Sequence, residues 1–293
     1  RLAAGEGVFL FPSCSSPSWQ TALEKTARFA QKYARAPRCS VMVSPHSVYT
    51  TNDEILVATL DFAKKHSLPV HIHLAESAAE TKTSLELHGM RPIPYLHSLG
   101  FFDHPCTLAH VVDCDEHDIA LLKEAKDLAI VHNPSSNLKL ASGIAPVPAF
   151  TANNIPVALG TDGPASNNQV NMFFEMRLAA LLHKATTKNP QSIPAQTALN
   201  MATIHGAKAL HTEHTGSLAL GKAADLIVLD ERAPNLQPCY APVSQAVYAT
   251  SGHEVVCTMV NGEIVYDHGR FPRFDYAALC EEVADLKKTI LES

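Results

Sequence analysis

Histidines and carboxylates recur in this sequence at the ends of short apolar runs. His46 follows the run at residues 40–44, His71 and His73 stand inside the run at 69–74, and Glu76 lies just beyond it. His110 falls in the run at 107–111, His132 closes 129–132, and Asp162 comes just after 156–160. Side chains of these types hold divalent cations, and they also take up and release protons. A cation with about three such ligands and one position open to water lowers that water's pKa toward neutrality. One carboxylate beside it can take the water's proton, and a second can hand a proton to the substrate. The inventory suits hydrolysis or deamination at an electron-poor carbon.

For these groups to act together, the runs must end on one side of the molecule. The runs alternate with helical patterns at 18–36, 52–66, 115–125 and 170–184. Thr51 or Asn52 reads as an N-cap, with Asp53 and Glu54 in the first turn, and Asp115-Glu116 opens the next helix in the same way. Near-continuous apolar strands between helices predict a parallel sheet covered on its faces. Six such strand–helix units occupy the chain up to about residue 210, where a (β/α)8 barrel has eight in roughly 250 residues. The rival doubly wound sheet normally shows a Gly-rich phosphate turn, and none is here. In a barrel the C-terminal strand ends share one mouth, which gathers His46, His73, Glu76, His110 and Asp162. Three histidines and two carboxylates around one mouth suit Zn²⁺.

Each residue alone has a plainer reading. His71 is expected to fill the layer below His73 on the same inward face, and His132 is read likewise. His66, His88, His104, His117, His183 and His211 sit in helices or loops and are expected to face solvent. Asp162 could merely form a turn before Gly163-Pro164. Their joint occurrence on consecutive units is what points to a site.

After about residue 210 the pattern changes. Apolar runs at 224–230, 255–260 and 263–266, the last two joined by Asn261-Gly262, predict a hairpin and a small β module. The expected division is a barrel over 1–210, the β module over 211–275 and a C-terminal helix over 276–293. A net charge of -6 gives no reason to expect nucleic acid or an anionic membrane, and no apolar run approaches the ~18 residues of a membrane span. No signal-peptide pattern opens the sequence. The seven cysteines include no C-x-x-C pair, which suits free thiols in a reducing cytoplasm rather than a disulfide framework.

At these residues the sequence resembles the amidohydrolase superfamily, and within it the methylthioadenosine/S-adenosylhomocysteine deaminases and their chlorohydrolase relatives. The carrying segments are Ser44-Pro45-His46, His71-Ile72-His73-Leu74-Ala75-Glu76, Leu108-Ala109-His110, the run from His132 through Leu140 to Gly143-Ile144-Ala145-Pro146, and Gly160-Thr161-Asp162-Gly163. Gly216-Ser217-Leu218 with Gly221-Lys222-Ala223-Ala224-Asp225-Leu226 looks like the family's return into a small β-sandwich module. The resemblance covers nearly the whole chain, and the runs at 132–146 and 160–163 are the most specific. It implies a (β/α)8 barrel of the metal-dependent hydrolase type and one divalent metal, zinc, with iron or manganese accepted by the same ligands. It implies that His73 is a metal ligand, and that Asp162 is a ligand that also takes the water's proton. His110 would polarise that water, Glu76 would protonate the ring nitrogen, and His46 would contact the nucleoside. Glu76 and Asp162 would touch the substrate too. The implied reaction converts a 5'-modified adenosine and water to the inosine analogue and ammonia. A homo-oligomer is hinted at by the resemblance alone.

The sequence departs from the pattern in one place. The family's first strand carries a His-x-His pair that supplies two further ligands, and no such pair precedes Val8. The first recognisable strand is similar to the family's third. The expectation is that two units and part of the β module are missing, and that this chain alone binds metal weakly and does not turn over. Two other readings stay open: another hydrolase of this architecture, such as a guanine deaminase or a triazine chlorohydrolase, and an inactive remnant that only binds or assembles.

Overall fold

The computed structural model describes residues 1–292. Six staves run parallel and side by side in chain order. The first is split into β1 (Leu2–Ala4) and β2 (Gly7–Val8), and the second into β3 (Cys39–Val41) and β4 (Ser44–Pro45). A parallel bridge from Val43 to Val70 joins the second stave to β5 (Val70–Leu74). Then β6 (Cys106–His110), β7 (Leu128–His132) and β8 (Val157–Leu159) complete a four-stranded sheet in the order β5-β6-β7-β8. Among the described residues no ladder joins the first stave to β8.

The first stave lies earlier than the run at 8–12 predicts. Pro12 has no N–H to give a ladder, and Ser13 donates its N–H to the Ser16 carbonyl, so the chain turns there. The predicted helices form close to their predicted bounds, as Trp19–Tyr33, Asp53–His66, Glu116–Glu124 and Met172–Thr187. Asn52 caps the second through its side chain, which accepts from Ile55 N–H at 2.9 Å. Asp115 and Asp118 form a reciprocal capping box on the third.

The pleat of β5 decides which groups face the barrel interior. Val70, Ile72 and Leu74 are fully buried under the helices, and His71 and His73 alternate with them on the inner face. Leu108 and Ile130 continue this apolar layer beneath Leu56, Ile93 and Phe150.

The β module is a single three-stranded antiparallel sheet among the described residues, in the order β11-β10-β9. β9 is Leu226–Leu229, and the predicted hairpin is β10 (Val255–Val260) with β11 (Glu263–Asp267). A second sheet, as in a sandwich, is not present among these residues. The helix Pro242–Tyr248 lies inside the stretch assigned to the module. It packs instead on Met172–Thr187 and Ala195–Ala202, with Val247 fully buried in the barrel core. The C-terminal helix Tyr276–Glu292 is exposed along its length. No described helix is long and apolar enough to cross a membrane, and all seven cysteines are free.

Four histidines expected to face solvent do not, among them half-buried His104, whose Nε2 bonds the Leu68 carbonyl at 2.7 Å. His183 is buried because Met176, Ala179, Ala180 and His183 share one helical face turned to the core. His88 stacks on Tyr95 at 3.8 Å between ring centroids. His211 is largely covered and lies beside Asp127.

Candidate active site

His46, His73, Glu76, His110 and Asp162 all lie at the C-terminal ends of staves, and the fold brings them to one mouth. The histidine rings form a row. The centroid of His46 lies 4.9 Å from that of His73, which lies 5.5 Å from that of His110 in a stacked arrangement. Phe9 backs His46 at 4.8 Å. His71 sits edge-on to His73 at 5.6 Å, on the same inner face.

Each ring is oriented by a partner. One carbonyl, that of His46, accepts both the backbone N–H of His73 (3.0 Å) and its ring Nδ1 (2.8 Å). A carbonyl only accepts, so Nδ1 of His73 carries a proton and Nε2 is the nitrogen left to face the mouth. His46 bonds through Nδ1 to Thr50 Oγ1 at 2.9 Å. Burial, aided by the His73 charge, pushes His46 down to about 4. His110 is 1% exposed, and burial, again with His73, pushes it to about 4 as well. Both are neutral near pH 7.

The two carboxylates are driven apart. Burial raises Glu76 above the usual carboxylate range, and the negative Asp162 adds to this against the pull of His73. Its Oε2 lies 3.8 Å from His110 Nε2, and Ser142 reaches its Oε1 at 3.5 Å. Burial also works to raise Asp162. The hydrogen bonds from Ser136 Oγ (2.6 Å) and Gly163 N–H (2.7 Å), with the His110 and His73 rings, outweigh it and hold Asp162 low. A pair of carboxylates split in this direction makes Glu76 the readier of the two to hold a proton and Asp162 the readier to stay ionised.

The backbone beneath them is strained. Ala75, His110, Val111 and Asp162 adopt φ of +51°, +76°, +48° and +60°, a region that non-glycine residues avoid. Buried groups hold these turns. Glu80 accepts the N–H groups of Ala75 (3.1 Å) and Glu76 (2.7 Å), one on each carboxylate oxygen. Glu175, fully buried, accepts Ser135 N–H at 3.1 Å and Asn167 Nδ2 at 2.9 Å. Asn167 in turn donates to the Thr161 carbonyl at 2.6 Å, so one carboxylate ties the turn after β7 to the turn after β8.

Sequence reasoning assigned no role to Ser136, Asn137, Ser142, Glu80 or Glu175. A signal for the first three was present, since all lie in the specific run at 132–146. Glu80 and Glu175 look like ordinary helical acids, and only the fold shows what their carboxylates meet. His132 is fully buried, with its Nε2 3.3 Å from that of His183 and its Nδ1 without a partner.

Among the described residues, the one trio of ligating side chains with donor atoms within 4.8 Å of one another is Asp115, His117 and Asp118. It lies away from the mouth, and Asp118 is paired with Arg91 at 2.8 Å. A cavity of about 1280 Å³ also lies elsewhere. It lies between the first stave, the end of β8 and the β module, lined by Leu2, Leu159, Leu199, Leu210, Leu226 and Met259.

A model of the amidohydrolase family matches residues 6–265. The chain is 55% identical to a protein of Desulfovibrio desulfuricans named 5-methylthioadenosine/S-adenosylhomocysteine deaminase, over 98% of this chain and 65% of that one. It is 48% identical to a protein of the same name from Lawsonia intracellularis, over 100% of this chain and 66% of that one. Among solved structures, an adenosine deaminase from Xanthomonas campestris with bound zinc superposes with a TM-score of 0.97 at 33% identity, over 100% of this chain and 67% of the other. The chain thus spans about 65% of the length of the relatives it matches.

Proposed function

The chain belongs to the amidohydrolase family, and on that premise we propose that its site serves hydrolytic deamination of 5'-modified adenosines. The substrates are of the 5'-methylthioadenosine and S-adenosylhomocysteine type, and the products are the inosine analogue and ammonia. The reading applies to a protein of the relatives' length. The observation that carries it is the split pair of carboxylates, Glu76 raised and Asp162 held low, on either side of neutral histidines at the mouth.

The donor chemistry fits a divalent cation of the zinc type. His73 commits its Nδ1–H to a carbonyl and leaves Nε2 as the nitrogen that would ligate, the usual way a ligating histidine is oriented. Asp162 stays ionised beside it. These two residues would hold the ion, and they are two of the three or so protein ligands such a centre uses. The ion supplies Lewis-acid activation of a water near neutral pH.

The chain's own residues do the proton work. Asp162 takes a proton from the attacking water as its oxygen adds to C6 of the adenine ring. Glu76, protonated before attack, delivers its proton to the neighbouring ring nitrogen. His110, neutral and buried, hydrogen-bonds the oxygen that gains charge. The C6–N bond then breaks, the amino group leaves as ammonia with the proton that Asp162 took, and the hydroxyl proton on the new C6–O bond passes to Glu76 as the carbonyl forms. His46, packed between Phe9 and His73, lies where a nucleoside would rest against its ring.

The test is an ammonia-release assay with the zinc-loaded protein of the relatives' length. 5'-methylthioadenosine, S-adenosylhomocysteine, adenosine, guanine and a chlorotriazine form the panel. Turnover of the adenosines well above the others supports the reading, and turnover of guanine or the triazine alone overturns it.

A further inference from the structure

We propose that Asn137 is a positioning residue that fixes His110 as its Nε2–H tautomer, so that His110 offers the mouth a proton donor while neighbouring His73 offers a lone pair. The two rings stack at 5.5 Å yet meet opposite partners. His73 Nδ1 faces a carbonyl, which can only accept. His110 Nδ1 faces two side-chain amides, Asn137 Nδ2 at 2.9 Å and Asn133 Nδ2 at 3.4 Å. A neutral imidazole has one proton, so a ring that accepts at Nδ1 carries its proton at Nε2.

The amide orientation decides the tautomer, and burial decides the orientation. Oδ1 of Asn137 is buried and has no hydrogen-bond partner. Turning the amide over would satisfy that oxygen against an Nδ1–H. It would also place an NH₂ group, with two donors, where the structure offers the oxygen nothing. The observed orientation meets one of those N–H groups at His110 Nδ1, and an Nδ1–H would face the Asn133 NH₂ group as well. The other face of the ring agrees, because Nε2 looks toward the Glu76 carboxylate at 3.8 Å. Asn137 itself is fully buried and well held. Its N–H donates to the Asn133 carbonyl at 3.0 Å, its carbonyl accepts Ser142 N–H at 2.9 Å, and the start of its helix, Pro134–Lys139, is anchored by Glu175 through Ser135 N–H.

The bearing on catalysis rests on the deaminase reading. With a proton on Nε2, His110 can stabilise a developing oxyanion but can neither take the water's proton nor ligate a cation through that atom. The base role therefore falls to Asp162. Ser136, one residue before Asn137, orients that carboxylate through its 2.6 Å hydrogen bond. One helical turn thus sets both the donor and the base.

The experiment is a long-range ¹H–¹⁵N imidazole spectrum of the full chain, without added metal and near neutral pH. The His110 signals are identified by their loss in His110→Gln. The expected pattern is an unprotonated Nδ1 and a protonated Nε2 for His110, with the reverse for His73. In Asn137→Asp a carboxylate faces Nδ1, and the proton is expected to move there, inverting the His110 pattern while His73 keeps its own. A wild-type His110 with Nδ1–H, or an Asn137→Asp pattern identical to wild type, overturns the proposal. If Asn137→Asp does not fold, the wild-type spectrum alone decides. Absence of ammonia release leaves these nitrogen signals unmoved, so failure of the deaminase reading and failure of this proposal are read separately.

Discussion

At the tip of the β10–β11 hairpin, Asn261 and Gly262 take φ of +54° and +79°, and at the mouth Ala75, His110, Val111 and Asp162 take +51°, +76°, +48° and +60°. The hairpin uses residues that tolerate this conformation, both exposed to solvent. The mouth uses residues that resist it, at a cost of about 1–3 kcal/mol each, and restrains them with the buried Glu80 and Glu175 carboxylates. The sheets differ in the same sense. Ile72 on β5 is 0% exposed, and Ile227 on β9 is 47% exposed. At the mouth this strain sits where titratable side chains converge and where the surrounding core is dense enough to hold it.

The largest effect expected at the mouth is on chemistry. Glu76→Gln keeps the size and the contact with Ser142 but removes the transferable proton. In the zinc-loaded protein of the relatives' length, kcat should fall by about 10²–10⁴-fold, with KM changed far less. Steady-state kinetics on 5'-methylthioadenosine check this, and a loss confined to KM would move Glu76 from proton transfer to binding.

The next effect is on stability, and it contrasts the two sheets directly. Ile72→Ala leaves a cavity beneath the helices and should cost about 2–5 kcal/mol. Ile227→Ala on β9 should cost under about 1 kcal/mol, since half the side chain already meets water. Urea titration followed by circular dichroism gives both numbers. Equal costs would mean that β9 is covered in solution.

Much of this contrast is legible in the sequence. The run Val70-His71-Ile72-His73-Leu74 alternates apolar and polar residues, so its pleat and inward histidines follow from period two alone. Asn261-Gly262 between two apolar runs announces its own turn. The first stave is misplaced because Val8, Phe9, Leu10 and Phe11 read as a strand, and nothing local says that the chain pairs earlier, at Leu2–Ala4. His183 is misread because one histidine in a helix does not declare its face, although Met176, Ala179 and Ala180 at helical spacing do. Glu80 and Glu175 are illegible for a deeper reason. Their partners are backbone N–H groups, which every sequence has, and their roles arise only once tertiary packing removes water from them.

Glu80 yields a smaller effect with a definite sign. Burial, above all, raises its folded-state pKa to about 7, and Glu76 and Asp113 push in the same direction, against the two backbone N–H groups it accepts. The ordinary value, 4.5, stands for the unfolded chain. The folded state therefore holds a proton that the unfolded state has lost between those two values. Stability from this group is fully present below about 4.5, falls as pH rises, and is gone once pH passes about 7. The fall should be on the order of 3 kcal/mol, at 1.36 kcal/mol per unit, and Glu80→Gln should flatten it. The same variant replaces one acceptor with a donor, so the Ala75 or Glu76 amide should exchange with deuterium faster while core amides do not. An unchanged pH slope would mean that Glu80 titrates normally and that another group holds the turn.

The smallest effect bears on the strain itself. A Cβ at Gly262 would meet nothing within 4 Å, so Gly262→Ala tests conformation alone and should cost about 1 kcal/mol. Ala75→Gly runs the other way. It relieves a left-handed alanine, worth roughly 1–2 kcal/mol, and loses a buried methyl worth about 0.8 kcal/mol. It also loosens the unfolded chain by about 0.5–1 kcal/mol. These terms nearly cancel, so Ala75→Gly should lie within about 0.5 kcal/mol of wild type. An unstrained buried alanine would instead lose about 1.5 kcal/mol from the last two terms alone. Paired urea titrations of the two variants separate the cases, and a full loss at Ala75 would mean that the turn after β5 is as relaxed as the hairpin.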